Sequence, residues 1–290
     1  MQVATNWKDF ELLDAGEGEK LERWGRIILR RPDPQAIWPR SHKGRLWDQV
    51  DAMYHRSLTG GGRWEQKRPI PARWGITYQN LKFHVEPTGF KHTGLFPEQA
   101  VNWDWMRELV KQQKTRTVRV LNLFANTGGA TVALTEAGAS VCHVDAAKRM
   151  VTRAKDNVAL SGLHTRPTRF ITDDVMKFIH REARRNNQYD AIVMDPPTYG
   201  RGPTGEKWKI EDTLHELVAT CAQLLSNKPL FFLINAYTTG LSPSVASNML
   251  KALIKKPHGG SVSCDEIGLP ITGSDLVLPC GSFGRWTADL

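Results

Sequence analysis

Between residues 117 and 235 five apolar runs, TVRVLNLF, ASVCHVD, TRFITDD, YDAIVMD and PLFFLIN, are separated by stretches of helical character. No other feature limits the fold so strongly. GGATVALTEAG, AAKRMVTRAKDNVALSG, VMKFIHREARRN and KIEDTLHELVATCAQLL fill the gaps, and NWDWMRELVKQQ precedes the first run. Strands alternating with helices of this length make βαβ units on a parallel sheet with right-handed crossovers. The tail differs: GGSVSCDEIGLPITGSDLVLPCGSFGRW holds two strand-like runs with no helix between them. It predicts a hairpin that adds an antiparallel pair to the sheet. The expected fold class is α/β, a Rossmann-like seven-stranded sheet, mostly parallel with a C-terminal antiparallel hairpin, plus a small β-rich N-terminal domain.

The first third has another texture. Six of the ten tryptophans fall before residue 75, among runs such as WGRIILRR and LKFHVEP that Pro and Gly interrupt. A small β-rich domain over 1–88 is expected, followed by the α/β domain over 89–290. Its aromatics read as core or domain-interface packing, with a base-stacking surface as the alternative. The net charge is +9 over 290 residues. Such a balance favours polyanions, nucleic acid among them, although many proteins are basic without a specific partner. The four cysteines form no CxxC pair, so neither a metal site nor a disulfide framework is expected. No apolar run is long enough to span a membrane. The acidic, mixed N-terminus lacks the pattern of a signal peptide, and a cytoplasmic location is expected.

Chemistry gathers at the carboxyl ends of the predicted strands, the side on which open α/β sheets bind ligands. NLFANTGG carries a glycine turn, Gly128 and Gly129, that permits positive φ and close backbone approach, without a Walker lysine. Asp145 ends the second run, where a carboxylate accepts hydrogen bonds from ribose hydroxyls. Asp174 ends the third, where it can accept from an adenine amine while Val175 covers the ring. A carboxylate at either place is also an ordinary helix cap. Asp195 ends the fourth run and is followed by Pro196 and Pro197, which cannot continue a ladder.

Together the glycine turn, the two acids and the DPP block resemble a class I S-adenosylmethionine-dependent methyltransferase. FKHTGLFPEQ, NLFANTGGATVAL, DNVALSGL, RFITDDVMKFI and DPPTYGRG resemble, more narrowly, ribosomal RNA large-subunit methyltransferases that modify cytosine C5 or guanine N7. The resemblance covers residues 88 to 290 and implies S-adenosylmethionine as cofactor and RNA as partner. It implies cofactor contacts at Phe96, Gln99, Asn122, Phe124, Ala125, Thr127, Gly128, Gly129, Asp145, Ala146, Asp174, Val175 and Asp195. Glu98 stands where the family more usually has Asp. The β-rich N-terminus resembles the small appended domain of this group, which is often taken to help bind RNA.

Cytosine C5 methylation needs a covalent thiolate, and neither DPPTYGRG nor LINAYTTGLSP contains cysteine. A nitrogen acceptor is therefore expected. Asp195, Pro196, Pro197 and Tyr199 are the candidate catalytic set, with Tyr199 a stacking surface or a loop anchor. Arg201, Lys207 and Trp208, together with Asn235 and Tyr237, are candidate substrate contacts. A methyltransferase acting on a small molecule or a protein side chain is an alternative. So is a non-catalytic RNA-binding protein with a residual cofactor pocket. A nicotinamide dehydrogenase fits neither the hairpin nor the DPP block.

Overall fold

Strands that are buried on both faces are apolar throughout, and the computed structural model forms parallel strands at all five runs. It describes residues 1–41, 45–57, 61–89, 91–201, 207–238 and 240–289. These fall into two compact units, one of 2–101 and 267–280, the other of Met1, 102–266 and 281–290.

The N-terminal unit holds β1 (Gln2–Val3), β2 (Phe10–Gly16), β3 (Glu19–Trp24), β4 (Ile27–Pro32), the helical turn α1 (Arg45–Asp48), β5 (Ala52–Arg56) and β6 (Gly62–Gln66). Strands β2 to β6 make one sheet in chain order. A separate hairpin follows, β7 (Trp74–Tyr78) with β8 (Leu81–Val85). All six N-terminal indoles are tied down within the unit. Trp7 donates to the Pro97 carbonyl, Trp38 to Ala15, Trp64 to Thr88 and Trp74 to Trp24, at 2.8–3.0 Å. Trp47 donates to Asp14 Oδ2 at 2.8 Å, and Trp24 to Glu22 Oε2 at 3.3 Å. These tryptophans pack the unit, which favours the packing reading over a base-stacking surface.

The boundary expected at residue 88 lies inside this unit, which runs on to Val101 and also takes in 267–280. Backbone pairing is the reason. Gln2 and Val3 pair in parallel with Ile267 and Gly268, and Thr272 donates its N–H to the Leu12 carbonyl at 2.9 Å and its hydroxyl to Glu11 at 2.8 Å.

In the second unit, α2 (Ala100–Gln112, beginning just before it) leads into β9 (Arg119–Leu123), α3 (Gly129–Glu136), β10 (Ser140–Asp145), α4 (Lys148–Leu160), β11 (Thr168–Thr172), α5 (Val175–Arg184) and β12 (Ala191–Met194). A short antiparallel pair, β13 (Tyr199–Arg201) and β14 (Lys207–Lys209), precedes α6 (Ile210–Ala222) and β15 (Phe231–Ala236). Then come α7 (Pro243–Leu250), prolonged by a π-helical turn over Lys251–Lys255, and the hairpin β16 (Ser261–Pro270) and β17 (Val277–Thr287), of which residues 267–280 count with the N-terminal unit. The sheet order is β1-β16-β17-β15-β12-β9-β10-β11, with β17 antiparallel to β15; the pairing of β1 with β16 adds an eighth, edge strand to the seven expected. The chain winds outward from β9 through β10 to β11 and then returns to β9's other side with β12. That reversal opens a crevice at the strands' carboxyl ends. Below it, Leu121, Ile192, Phe232 and Ile234 are fully buried against α5, α6 and α7.

Candidate functional site

A cleft of about 520 Å³ opens at the carboxyl tips of β9, β10, β11 and β12, within the usual range for a small-ligand site. Its walls include Phe124, Asp145, Ala146, Asp174, Val175, Asp195, Pro197 and Trp208, which sequence reasoning had proposed. Asn126, Ala147, Met176 and Gly200 also line it and had not been foreseen.

The loop after β9 builds one wall. Phe124, Asn126 and Gly128 have φ of 52°, 48° and 83°, so every second residue is left-handed. Asn tolerates this conformation, but for Phe it costs about 1–2 kcal/mol, which the packing around it must offset. The alternation turns the Asn126 N–H onto Asp145 Oδ2 at 2.8 Å, while Oδ1 accepts from the Ala147 N–H at 2.8 Å. Burial pushes the Asp145 pKa above the ordinary 3.8, against the pull of both N–H donors. An ionised carboxylate has about four acceptor sites, so two remain for a vicinal diol.

Asp174 caps α5, its Oδ1 accepting from the Lys177 N–H at 2.9 Å. The capping role is thus real, and it also holds the carboxyl group on the cleft wall beside Val175. Asp195 stands half-buried one residue past β12, Pro196 is buried, and Pro197 is exposed. The Trp208 indole N–H donates to the Pro197 carbonyl at 2.6 Å, and its ring lies 5.1 Å from that of Phe124. Trp208 therefore forms part of the cleft wall. Trp208 pairs with Gly200 in the β13–β14 ladder.

Several candidates are held by contacts of their own. Asn122 turns inward, donating to Thr131 Oγ1 at 2.9 Å, and Thr131 in turn meets His143 Nδ1 at 2.9 Å. Burial lowers the His143 pKa to about 3, so this network is neutral. Ala125 and Thr127 are buried, and their main chains bond to Val144 and to the Asn157 side chain. Gly128 and Gly129 serve close packing: a Cβ would come within 2.8 Å of Ala154 at the first and 2.7 Å of Trp103 at the second. Tyr199 is 54% exposed on β13 and does not line the cleft. Tyr237 covers Gly281, where a Cβ would meet its ring at 2.9 Å. Asn235 is buried, accepting at 2.9 Å from Asn102. Phe96 and Gln99 belong to the N-terminal unit, at the 3₁₀ turn Pro97–Gln99. The side chains of Arg201 and Lys207 lie outside the described residues.

The donor set suits an adenosyl ligand. Apolar walls at Ala146, Val175, Phe124 and Trp208 can flank a flat ring, Asp145 can take a diol, Asp174 can accept from an amine on the ring, and Asp195 adds a further acceptor. None of the four cysteines is among the cleft's wall residues. Burial raises the Cys142 pKa to about 11 and holds the Cys221 and Cys280 thiols well up. Among the described residues no cluster of three metal-ligating side chains exists, and no helix is long and apolar enough to cross a membrane.

A crevice of this composition at the reversal of a mostly parallel sheet that carries a C-terminal hairpin defines the class: an α/β enzyme that takes an adenosyl cofactor. The family model for S-adenosylmethionine-dependent methyltransferases matches residues 31–232, and the chain belongs to that family. It is a methyltransferase whose methyl donor is S-adenosylmethionine. A methyltransferase of this type from Agrobacterium tumefaciens superposes with a TM-score of 0.94 at 36% identity, over 99% of this chain and 93% of that one. One from Streptococcus mutans shares the fold, with a TM-score of 0.72 at 18% identity over 98% and 76% of the two chains. A ribosomal RNA large subunit methyltransferase K/L from Shewanella baltica is 38% identical over 152 residues. The match takes in 52% of this chain and 20% of that protein, so the chain spans about a fifth of the curated relatives it resembles.

Proposed function

We propose that this chain moves the methyl group of S-adenosylmethionine onto a nitrogen of an RNA base, with large-subunit ribosomal RNA as substrate. The observation that carries the reading is the site's composition. The DPP turn stands beside the cofactor acids, and no thiol lines the cleft. Names of the curated relatives and the +9 charge support an RNA acceptor, and such a substrate implies work in the cytoplasm.

The bound cofactor supplies an electrophilic methyl carbon, whose transfer is an in-line displacement. The protein's task is to hold the acceptor nitrogen on that line. Asp145 and Asp174 orient the donor's ribose and base, while Val175, Phe124 and Trp208 exclude water from its rings. Asp195 and the Pro196 carbonyl accept hydrogen bonds from the incoming base and leave its nitrogen lone pair free. The Pro197 carbonyl is already engaged by Trp208. Exposed Tyr199 offers a face on which a splayed-out base can stack. Residues 1–88 are assigned a supporting role in RNA binding.

The test is methyl transfer from labelled S-adenosylmethionine to an unmodified large-subunit rRNA transcript, with the digested nucleosides identified by mass. An N-methylated base is expected. Label in 5-methylcytidine, or only in protein or small molecules, overturns the reading.

A further inference from the structure

The buried amides behind the DPP turn form a chain whose polarity is fixed at one end. Arg285 on β17 is 5% exposed, its guanidinium 4.0 Å from the Phe283 ring and 4.7 Å from that of Trp105. Its Nε and one terminal nitrogen both donate to Asn102 Oδ1, at 2.9 and 2.5 Å. A guanidinium carries only donors, so Asn102 must keep its oxygen toward Arg285 and its nitrogen away. That nitrogen donates to Asn235 Oδ1 at 2.9 Å. Asn235 is thereby compelled to spend its oxygen inward and to turn its NH₂ group the other way.

Where that NH₂ stands matters. Ile234 pairs with Met194 across β15 and β12, so the next residue on each strand, Asn235 and Asp195, stand level at neighbouring tips. Asn235 is 4% exposed. Among the described residues no hydrogen bond uses its Nδ2, which the engaged oxygen turns away from Asn102. Two adjacent tips therefore carry opposite polarity: an acceptor at Asp195 and a donor at Asn235.

We propose that Arg285 and Asn102 are positioning residues that lock Asn235 as a hydrogen-bond donor to a carbonyl oxygen or ring nitrogen of the base being methylated. Without the lock the amide could rotate and present its oxygen, an acceptor facing an acceptor. The inference rests on the RNA reading above.

The probe is the unmodified large-subunit rRNA transcript, with KM, kcat, cofactor affinity by calorimetry and Tm measured for each variant. Asn235→Leu removes the donor. Asn102→Asp still accepts from Arg285 but cannot donate, so it frees the Asn235 amide to turn. Each is expected to raise KM for RNA about tenfold, the scale of one net hydrogen bond, with cofactor affinity unchanged. Because Asn102 acts through Asn235, the double variant should be no worse than Asn235→Leu alone. An unchanged KM in Asn102→Asp, or a double variant near a hundredfold, overturns the relay. If Asn102→Asp does not fold, Asn235→Asp decides: Asn102 can still donate to its carboxylate, yet it has no donor to offer. A wild-type KM there sinks the proposal. If the wild-type protein methylates no RNA, the RNA reading fails and this inference falls with it, whereas RNA methylation that is indifferent to residue 235 removes the relay alone.

Discussion

Asp145→Asn isolates the single group that most of the cofactor argument leans on. The carboxylate accepts two backbone N–H bonds, from Asn126 and Ala147, both at 2.8 Å. An asparagine has one oxygen, so one of those N–H groups would face an NH₂ and lose its acceptor. The remaining lone pairs for the ribose diol fall from two to one. A hydrogen bond to a charged group contributes about 1.5–3 kcal/mol, so S-adenosylmethionine should bind roughly 10–100-fold more weakly. Stability should change less, by about 1 kcal/mol or under, because two effects oppose. Burial holds the Asp145 pKa above the ordinary 3.8 in the folded protein. A raised carboxyl pKa means that ionisation costs folding free energy: the group's contribution is most favourable below the unfolded value and declines as pH rises through the folded one. Removing the charge relieves that cost and offsets part of the lost N–H bond. Calorimetric titration with S-adenosylmethionine across pH is the assay. Wild-type affinity should weaken as the pH falls through the raised pKa, and the variant should be flat over that window. Binding by Asp145→Asn within twofold of wild type, or an identical pH dependence, would refute the reasoning.

Gly128→Ala combines a left-handed backbone with a 2.8 Å approach to Ala154, whereas Gly138→Ala, at φ 99°, meets nothing within 4 Å. The first should cost about 2–4 kcal/mol and lower Tm by roughly 5–15 °C, the second about 1 kcal/mol and roughly 2–4 °C. Equal shifts in thermal unfolding would remove the steric argument. Trp208→Phe keeps a ring against Phe124 but frees the Pro197 carbonyl, so kcat should fall about 3–10-fold while cofactor affinity stays within about threefold. Calorimetry beside steady-state kinetics checks the split. A variant with all four cysteines replaced by alanine should retain methyl transfer within about threefold, and transcripts containing 5-fluorocytidine should give no SDS-stable adduct. Such an adduct would establish thiol chemistry.

Four of the parallel strands, β9, β10, β12 and β15, were legible because burial on both faces leaves apolar runs, while the partly exposed edge strand β11 was legible from its place between two helical stretches; the acids at 145, 174 and 195 were legible because each ends or follows a strand. Helix α7 was not foreseen: SPSVASNML shows no strong apolar stripe, although Pro243 at its start is a recognised signal. Asn126 and Ala147 escaped notice because they act through backbone N–H groups, which leave little trace in residue type. The Asn in FANTGG, a residue tolerant of positive φ, was the available clue. Asn122 and Asn235 could be placed at strand ends from sequence, but which way each amide turns depends on Thr131 and Asn102, partners set by tertiary packing.

The N-terminal unit is completed by Ile267–Cys280. During synthesis its first hundred residues emerge well before those that pair with β1 and Leu12. At about 5–20 residues per second the wait is roughly ten to thirty seconds. Throughout that interval Gln2, Val3 and the Leu12 carbonyl lack their eventual partners. A nascent chain of this design must keep an open strand edge from pairing with its neighbours on the polysome until residues 267–280 have left the ribosome.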